Sequence, residues 1–253
     1  MKNASSDAEF INGPSKRTGG SLDEYVIIAI DGPAGSGKST TARAVARRLG
    51  YLYLDTGAMY RAVALAFIRN GDEPTVDAAN RLLPNIRIHI DQADDGLHIS
   101  LNDEDVTEAI RRPEVTSASS RVAALAPVRE KLVEEQRRIA DEYEREGGGV
   151  VLEGRDIGTV VLPNAGVKIF MTASAEVRAR RRYEELAEKE ADVMLEDVLD
   201  EIRLRDERDA SRMLAPLRKA DDAIELDTSE LNLEDQINVV IQAVTERGKS
   251  SAV

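Results

Sequence analysis

Along most of the chain, short apolar runs alternate with stretches in which apolar residues recur at helical spacing. Residues 25–30 form a β-branched run and predict a buried strand, and residues 41–49 predict the helix after it. A strand over 51–55 follows, then a helix over 58–69 stopped by Asn70-Gly71. Residues 78–83 predict a short helix ended by Pro84. Residues 86–90 and 97–101 alternate apolar and polar about Asp94-Asp95-Gly96, the pattern of an antiparallel hairpin. Beyond Arg112 come helices over 113–125 and 127–145, the second with its proline in the first turn, where a missing N–H is tolerated. Gly147-Gly148-Gly149 ends it; strands are expected over 150–152, 167–171 and 224–226. Two strongly charged helices, over 175–189 and 192–212, lie between the last two strands, and a closing helix spans 233–244 before a polar tail from Gly248. Residues 1–24, rich in Ser, Asn, Gly and charge, read as a disordered tail. No internal repeat is visible.

Apolar strands alternating with helices imply an α/β fold with a parallel sheet covered on both faces and ligands at the strands' carboxyl ends. The hairpin interrupts that pattern and implies an inserted subdomain.

The first strand opens into the densest motif of the chain. Gly32-Pro33-Ala34-Gly35-Ser36-Gly37-Lys38-Ser39-Thr40 fits the G-x-x-x-x-G-K-[ST] phosphate loop in its required context, strand before and helix after. The glycines let backbone N–H groups turn inward around an anion, the helix N-terminus adds partial positive charge and Lys38 a full one. Ser39 offers a hydroxyl to Mg²⁺. This loop implies a nucleoside triphosphate without saying what is done with it.

Polar residues just past the other strands should line the same cleft. They are Asp31 from the first strand, Asp55, Thr56 and Arg61 from the second, and Arg155 and Asp156 after residues 150–152. Two arginines beside a phosphate loop suggest a second anion, because a guanidinium fork matches phosphate oxygens two at a time; an ordinary ion pair is the alternative for each alone. Arg205, Arg208 and Arg212 fall at i, i+3 and i+7 of one helix, with Asp209 on the same side. A solvated, ion-paired helix is the plain reading of that stripe. With Arg178, Arg181 and Arg182 on the preceding helix, it also reads as a helical lid that closes over transferring phosphate.

Composition narrows the classes. The 253 residues carry a formal net charge of −13, which argues against general binding to nucleic-acid polymers or anionic membranes. The absence of Cys rules out disulfides, zinc thiolates and Cys nucleophiles, and fits a reducing cytoplasm. His89 and His98 sit in the alternating hairpin and read as strand surface positions without a third metal ligand. No apolar run approaches the ~20 residues of a membrane span, and residues 1–24 lack a signal-peptide core.

DGPAGSGKST, then LDTGAMYR, then EGRDIGTVV with PNAGVKIFMTAS, then RDERDASRMLAPL together resemble the bacterial cytidylate (CMP/dCMP) kinases, among the nucleoside monophosphate kinases, over about residues 26–243. The resemblance implies a P-loop core of about 25–55, 112–173 and 205–247, a monophosphate-binding insert of about 56–111, a lid of about 174–204, and a final tail of 248–253. It further implies ATP and Mg²⁺ as donor and metal, and CMP or dCMP as acceptor. Gly32 to Thr40 would hold the ATP phosphates; Thr56, Arg61 and Arg155 the acceptor's monophosphate; Ser120, Arg129 and Asp156 the cytosine; Arg205, Asp209 and Arg212 the sugar and phosphates. Lys38, Arg155, Asp156, Arg181 and Arg205 are the expected catalytic set, and Asp31 is a candidate for action through metal-bound water. Thr56 stands where Ser is commoner in the family, with its hydroxyl retained. A small-molecule kinase for UMP, AMP or another acceptor, and a GTP-driven switch, are the rivals; no N-K-x-D guanine motif supports the switch. A cytoplasmic monomer acting on small nucleotides is expected.

Overall fold

The computed structural model describes residues 26–93, 96–188 and 193–250. The expected tail of 1–24, Tyr25, the hairpin-tip residues Asp94 and Asp95, and the expected helix ends Lys189 and Asp192 lie outside the described residues.

Strand β1 (Ile27–Asp31) leads through the glycine loop into α1 (Lys38–Leu49), and β2 (Leu52–Asp55) into α2 (Thr56–Asn70). The Asp55 carboxylate starts α2 by accepting the Ala58 N–H at 2.9 Å, and Gly71 ends it in the left-handed conformation. Helix α3 (Val76–Leu82) is followed by a 3₁₀ turn, Leu83–Asn85, containing Pro84. Strands β3 (Ile88–Ala93), β4 (Gly96–Leu101) and β5 (Glu104–Asp105) make a separate antiparallel sheet whose short third strand the alternation did not predict. Helices α4 (Pro113–Val122) and α5 (Ala126–Arg145) precede β6 (Val150–Gly154), which runs two residues beyond its apolar run and ends in a π-helical turn, Ile157–Val161. After β7 (Val167–Thr172) come α6 (Ala175–Ala187) and α7 (Leu195–Ser211), then β8 (Ile224–Asp227) and α8 (Leu233–Ser250). The closing helix thus extends through the positions expected to begin a polar tail at Gly248.

The main sheet is parallel throughout, in the order β2-β6-β1-β7-β8. Period-two alternation divides its side chains. Ala29, Leu52, Leu54, Val150 and Leu152 pack toward α2, α4, α5 and the small sheet, while Ile28, Ile30, Tyr53, Val151, Ile169 and Met171 pack toward α1 and α8. A third, small apolar cluster of Ala179, Val198 and Ile202 joins α6 to α7. The register aligns strand ends: Asp31 lies opposite Gly154, and Asp55 opposite Glu153. Asp31, Asp55, Glu153, Arg155 and Asp156 all lie at this carboxyl end of the sheet.

Candidate active site

The glycine loop is held in a shape that side chains would forbid. Gly32 has φ +149, and a Cβ there would lie 2.0 Å from the Met171 carbonyl oxygen; Gly37, at φ +89, turns the chain into α1. Ser36 donates to Pro33 O at 3.0 Å and Thr228 Oγ1 donates to Ser36 O at 2.9 Å, so the end of β8 buttresses the loop. Lys38 is buried, its Nζ donating to Pro33 O at 2.6 Å. Ser39 and Thr40 face outward at the start of α1.

Ser39 Oγ donates to Glu153 Oε2 at 2.8 Å, while the Tyr53 hydroxyl donates to Glu153 Oε1. Glu153 was missed as a site residue, because its place beside Ser39 depends on β6 pairing with β1. Burial pushes its carboxyl up, opposed by Lys38 and by the two hydroxyls. A hydroxyl backed by a carboxylate is a hard oxygen donor set suited to Mg²⁺, and among the described residues no group of three or more His, Cys, Asp or Glu forms an all-protein cage. Such a set fits an ion that would be held chiefly by phosphate oxygens and water, to which Ser39 could contribute its hydroxyl.

Facing Lys38 is an arginine cluster built by three segments: α2, the turn after β6, and α7. Arg155, just past β6, donates through Nε to Asp209 Oδ2 at 2.9 Å, and Arg212 at the end of α7 donates to the other oxygen, Oδ1. Asp209 is 1% exposed, and its arginines hold its carboxyl below the usual range against the upward pull of burial. Arg205 sits one turn earlier on the same face. Its Nε is buried without a partner, as is that of Arg61, whose Nη2 binds Asp55 at 2.9 Å. Burial and the neighbouring Arg155 lower Arg205 to about 10. Thr56 is buried and spends its proton on Glu153 O at 2.6 Å, leaving its oxygen as an acceptor. Four guanidinium groups therefore surround two carboxylates, and two buried donors are left over, an arrangement that an incoming anion satisfies.

Beside this cluster, Asp156 and Arg129 form a buried ion pair, with the guanidinium also 6.0 Å from the centre of the Tyr60 ring. Burial raises the Asp156 carboxyl, and Arg129 opposes the rise. Ser120 is half-buried on α4.

The predicted arginine stripe on α7 is only partly correct. Arg205, Asp209 and Arg212 turn inward with the apolar Ile202, whereas Arg208 is exposed. The helix surface that meets the core runs through 202, 205, 209 and 212, and position 208 falls off its edge. The α6 arginines are engaged with protein. Arg178 is buried, with both Nη atoms on Asp206 at 2.6 and 3.0 Å and a further bond to Ala34 O at 3.2 Å. Arg181 binds Thr228 O at 2.6 Å, and the half-buried Arg182 binds Glu185 at 3.0 Å. Asp31, the candidate for action through metal-bound water, has both oxygens engaged by backbone: they accept the N–H groups of Ile157 at 2.8 Å and Gly158 at 2.7 Å.

The fields of the two halves overlap at Lys38. Burial first, then Arg155 and Arg205, lower its pKa to about 7, with Glu153 and Asp31 opposing. A polyphosphate at the loop would draw a proton back onto Nζ. Nucleotide binding at pH 8 is accordingly expected to take up close to one proton, and affinity to fall as pH rises beyond about 7. Calorimetry of ADP binding in buffers of differing ionisation enthalpy checks this; a buffer-independent heat would show Lys38 already charged in the free protein.

Comparison with known proteins agrees with this geometry. The cytidylate kinase family model matches residues 28–246. Cytidylate kinase of Salinibacter ruber is 49% identical over 219 residues, covering 87% of this chain and 96% of the relative. That of Carboxydothermus hydrogenoformans is 50% identical over 221 residues (86% and 96%), and that of Bacillus subtilis 44% over 229 (90% and 100%). With a phosphate loop facing an arginine-lined anion site, and with relatives of this similarity along nearly their whole length, the chain belongs to the cytidylate kinase family.

Proposed function

We propose that the protein transfers the γ-phosphoryl group of ATP to the 5′-phosphate of CMP or dCMP, giving CDP or dCDP and ADP. The observation that carries the reading is the arginine cluster of Arg61, Arg155, Arg205 and Arg212, with two unpartnered buried Nε groups, set against Lys38 of the donor loop. An acceptor phosphate oxygen attacks the γ-phosphorus in line, a new P–O bond forms, and the bond to the β-bridging oxygen breaks to release ADP. No protein nucleophile is needed. Lys38 and the loop N–H groups of residues 32–40 hold the donor phosphates; Thr56, Arg61 and Arg155 hold the acceptor phosphate; Arg205 and Arg212, oriented by Asp209, neutralise charge between them. Ser39, backed by Glu153, would hold Mg²⁺, which supplies further charge neutralisation when bound. Arg181 belongs to this reading as a catalytic lid residue that exchanges its Thr228 contact for phosphate when α6 and α7, the lid of about 174–204, close over the site.

Cytosine offers a 4-amino donor beside the N3 acceptor. The Asp156 carboxylate and the donors Arg129 and Ser120 complement that pair, and uracil reverses it. In this reading the insert of about 56–111 frames the acceptor, and the protein is a cytoplasmic monomer without nucleic-acid or membrane partners; no helix of the described residues is long and apolar enough to cross a membrane.

The test is ADP production from ATP and Mg²⁺ with CMP, dCMP, UMP and AMP offered separately at equal concentration. CMP and dCMP are expected to turn over strongly and the others weakly. Equal turnover of UMP would keep the kinase and sink the base assignment, and no turnover with any acceptor would sink the reaction.

A further inference from the structure

Asp31 closes the strand that feeds the donor loop, yet its side chain serves the other half of the site. It is 5% exposed at the end of β1, between Gly154 of β6 and Phe170 of β7. Oδ1 accepts the Ile157 N–H and Oδ2 the Gly158 N–H, two of the otherwise unpaired first amides of the π-helical turn. The residue before that turn is Asp156, which caps nothing with its own side chain and holds φ −147, ψ 24. The backbone that aims Asp156, and Arg155 before it, is therefore anchored from behind by Asp31.

Neither end of this link has slack. On the donor side Gly32 follows Asp31 directly, and the Met171 carbonyl oxygen lies where any Cβ at that position would have to go. On the acceptor side, a Cβ on Gly158 would lie 3.1 Å from Lys168 Cδ, and Lys168 is itself tied to Pro163 O and to Asp222 at 2.5 and 2.8 Å. One carboxylate thus joins the root of the donor loop to the root of the base-facing turn.

We propose that Asp31 is a positioning residue for the acceptor: without touching either nucleotide, it fixes the orientation of Asp156 and Arg155 relative to the donor loop and so sets acceptor affinity and base choice. This rests on the assignment of Asp156 and Arg155 to the acceptor.

The test is Asp31→Asn, which keeps the shape but turns an amide NH₂ toward one of the two backbone donors, so that one charge-assisted bond is replaced by a donor facing a donor. KM for CMP is expected to rise about tenfold and the CMP/UMP preference to shrink by a similar factor, with ADP affinity, measured directly by calorimetry at pH 6, where Lys38 stays mostly protonated without the Asp31 charge, changed less than about twofold. A role in folding alone would reduce the active fraction and lower apparent kcat while leaving KM and the base preference as they were; that result in a folded variant overturns the proposal. A second measurement needs no variant. In the wild-type protein with an empty acceptor site, the amides of Ile157 and Gly158 are expected to exchange with deuterium far more slowly than exposed turn amides, and rapid exchange of both would show that the anchor does not hold. Wild-type CMP turnover, assayed alongside, separates the two levels: its absence defeats the reading of the reaction, whereas normal wild-type turnover with unaltered KM in Asp31→Asn defeats only the role of Asp31.

Discussion

Lys38→Met is expected to lower kcat by about 10²–10³-fold while raising the melting temperature at pH 6, a combination that follows from where the ammonium group sits. Lys38 is buried beside Arg155 and Arg205, and burial together with those like charges depresses its pKa to about 7. In the free protein this charge is therefore a burden; on the proposed mechanism, donor phosphates and the charge developing between them need it. The sign of the pH dependence is fixed by the depression. Between about 7 and the ordinary lysine value of 10.5 the unfolded chain binds more protons than the folded one, so the penalty is complete below about 7 and fades as pH rises toward 10.5. The stabilisation of Lys38→Met should accordingly be largest at pH 6, on the order of a few kcal/mol at most, and decline through pH 9. Thermal melts across that range, paired with steady-state kinetics, check both halves. Near-normal kcat would remove Lys38 from the donor site, and a variant destabilised equally at every pH would mean that packing of the lysine stem outweighs its charge.

Asp156→Ala is expected to have the second large effect, on stability and selectivity together. Arg129 is 6% exposed and its guanidinium binds the Asp156 carboxylate, so removing the acid strands a buried cation at a cost of about 3–5 kcal/mol. On the proposed reading, the same change removes the acceptor for the cytosine amino group. The ratio of kcat/KM for CMP over UMP should fall by about 10–100-fold, since uracil no longer sets a carbonyl against a carboxylate. Asp156→Asn separates the two consequences. It keeps an oxygen for Arg129 and can turn its NH₂ toward the base, so it should recover much of the stability while moving preference further toward UMP than alanine does. Denaturant melts and acceptor kinetics on both variants check this. An unchanged CMP/UMP ratio in a folded Asp156→Ala protein would mean that the base is read elsewhere.

Both effects depend on features that differ in how far they can be seen in a linear chain. The donor loop is local: strand, glycine turn, lysine and helix are contiguous from residue 27 to 49, and each step is enforced by sterics within a few residues. The alternation of apolar runs with helical periods likewise implied a parallel α/β sheet and an inserted hairpin, because period and burial are properties of short segments. The order of four spaced motifs was enough to suggest the family.

What the residues do for one another was decided by the sheet order β2-β6-β1-β7-β8. Pairing β6 with β1 brings Glu153 to Ser39 across 114 positions and Asp31 to Ile157 across 126. Packing α7 against α6 and α4 brings Asp209 between Arg155 and Arg212, and turns Arg205 inward while leaving Arg208 in solvent. A helical stripe of arginines carries no mark of which member meets the core, and an acidic residue at a strand end carries none of whether it will meet a metal, a hydroxyl or a backbone amide. Asp31 and Glu153 are carboxylates at the carboxyl ends of neighbouring strands of one sheet, Glu153 one residue before the end of β6. One caps a turn and the other backs the donor-loop serine, because partner choice for a buried carboxylate is set by whichever unpaired donors the tertiary fold brings within hydrogen-bonding distance.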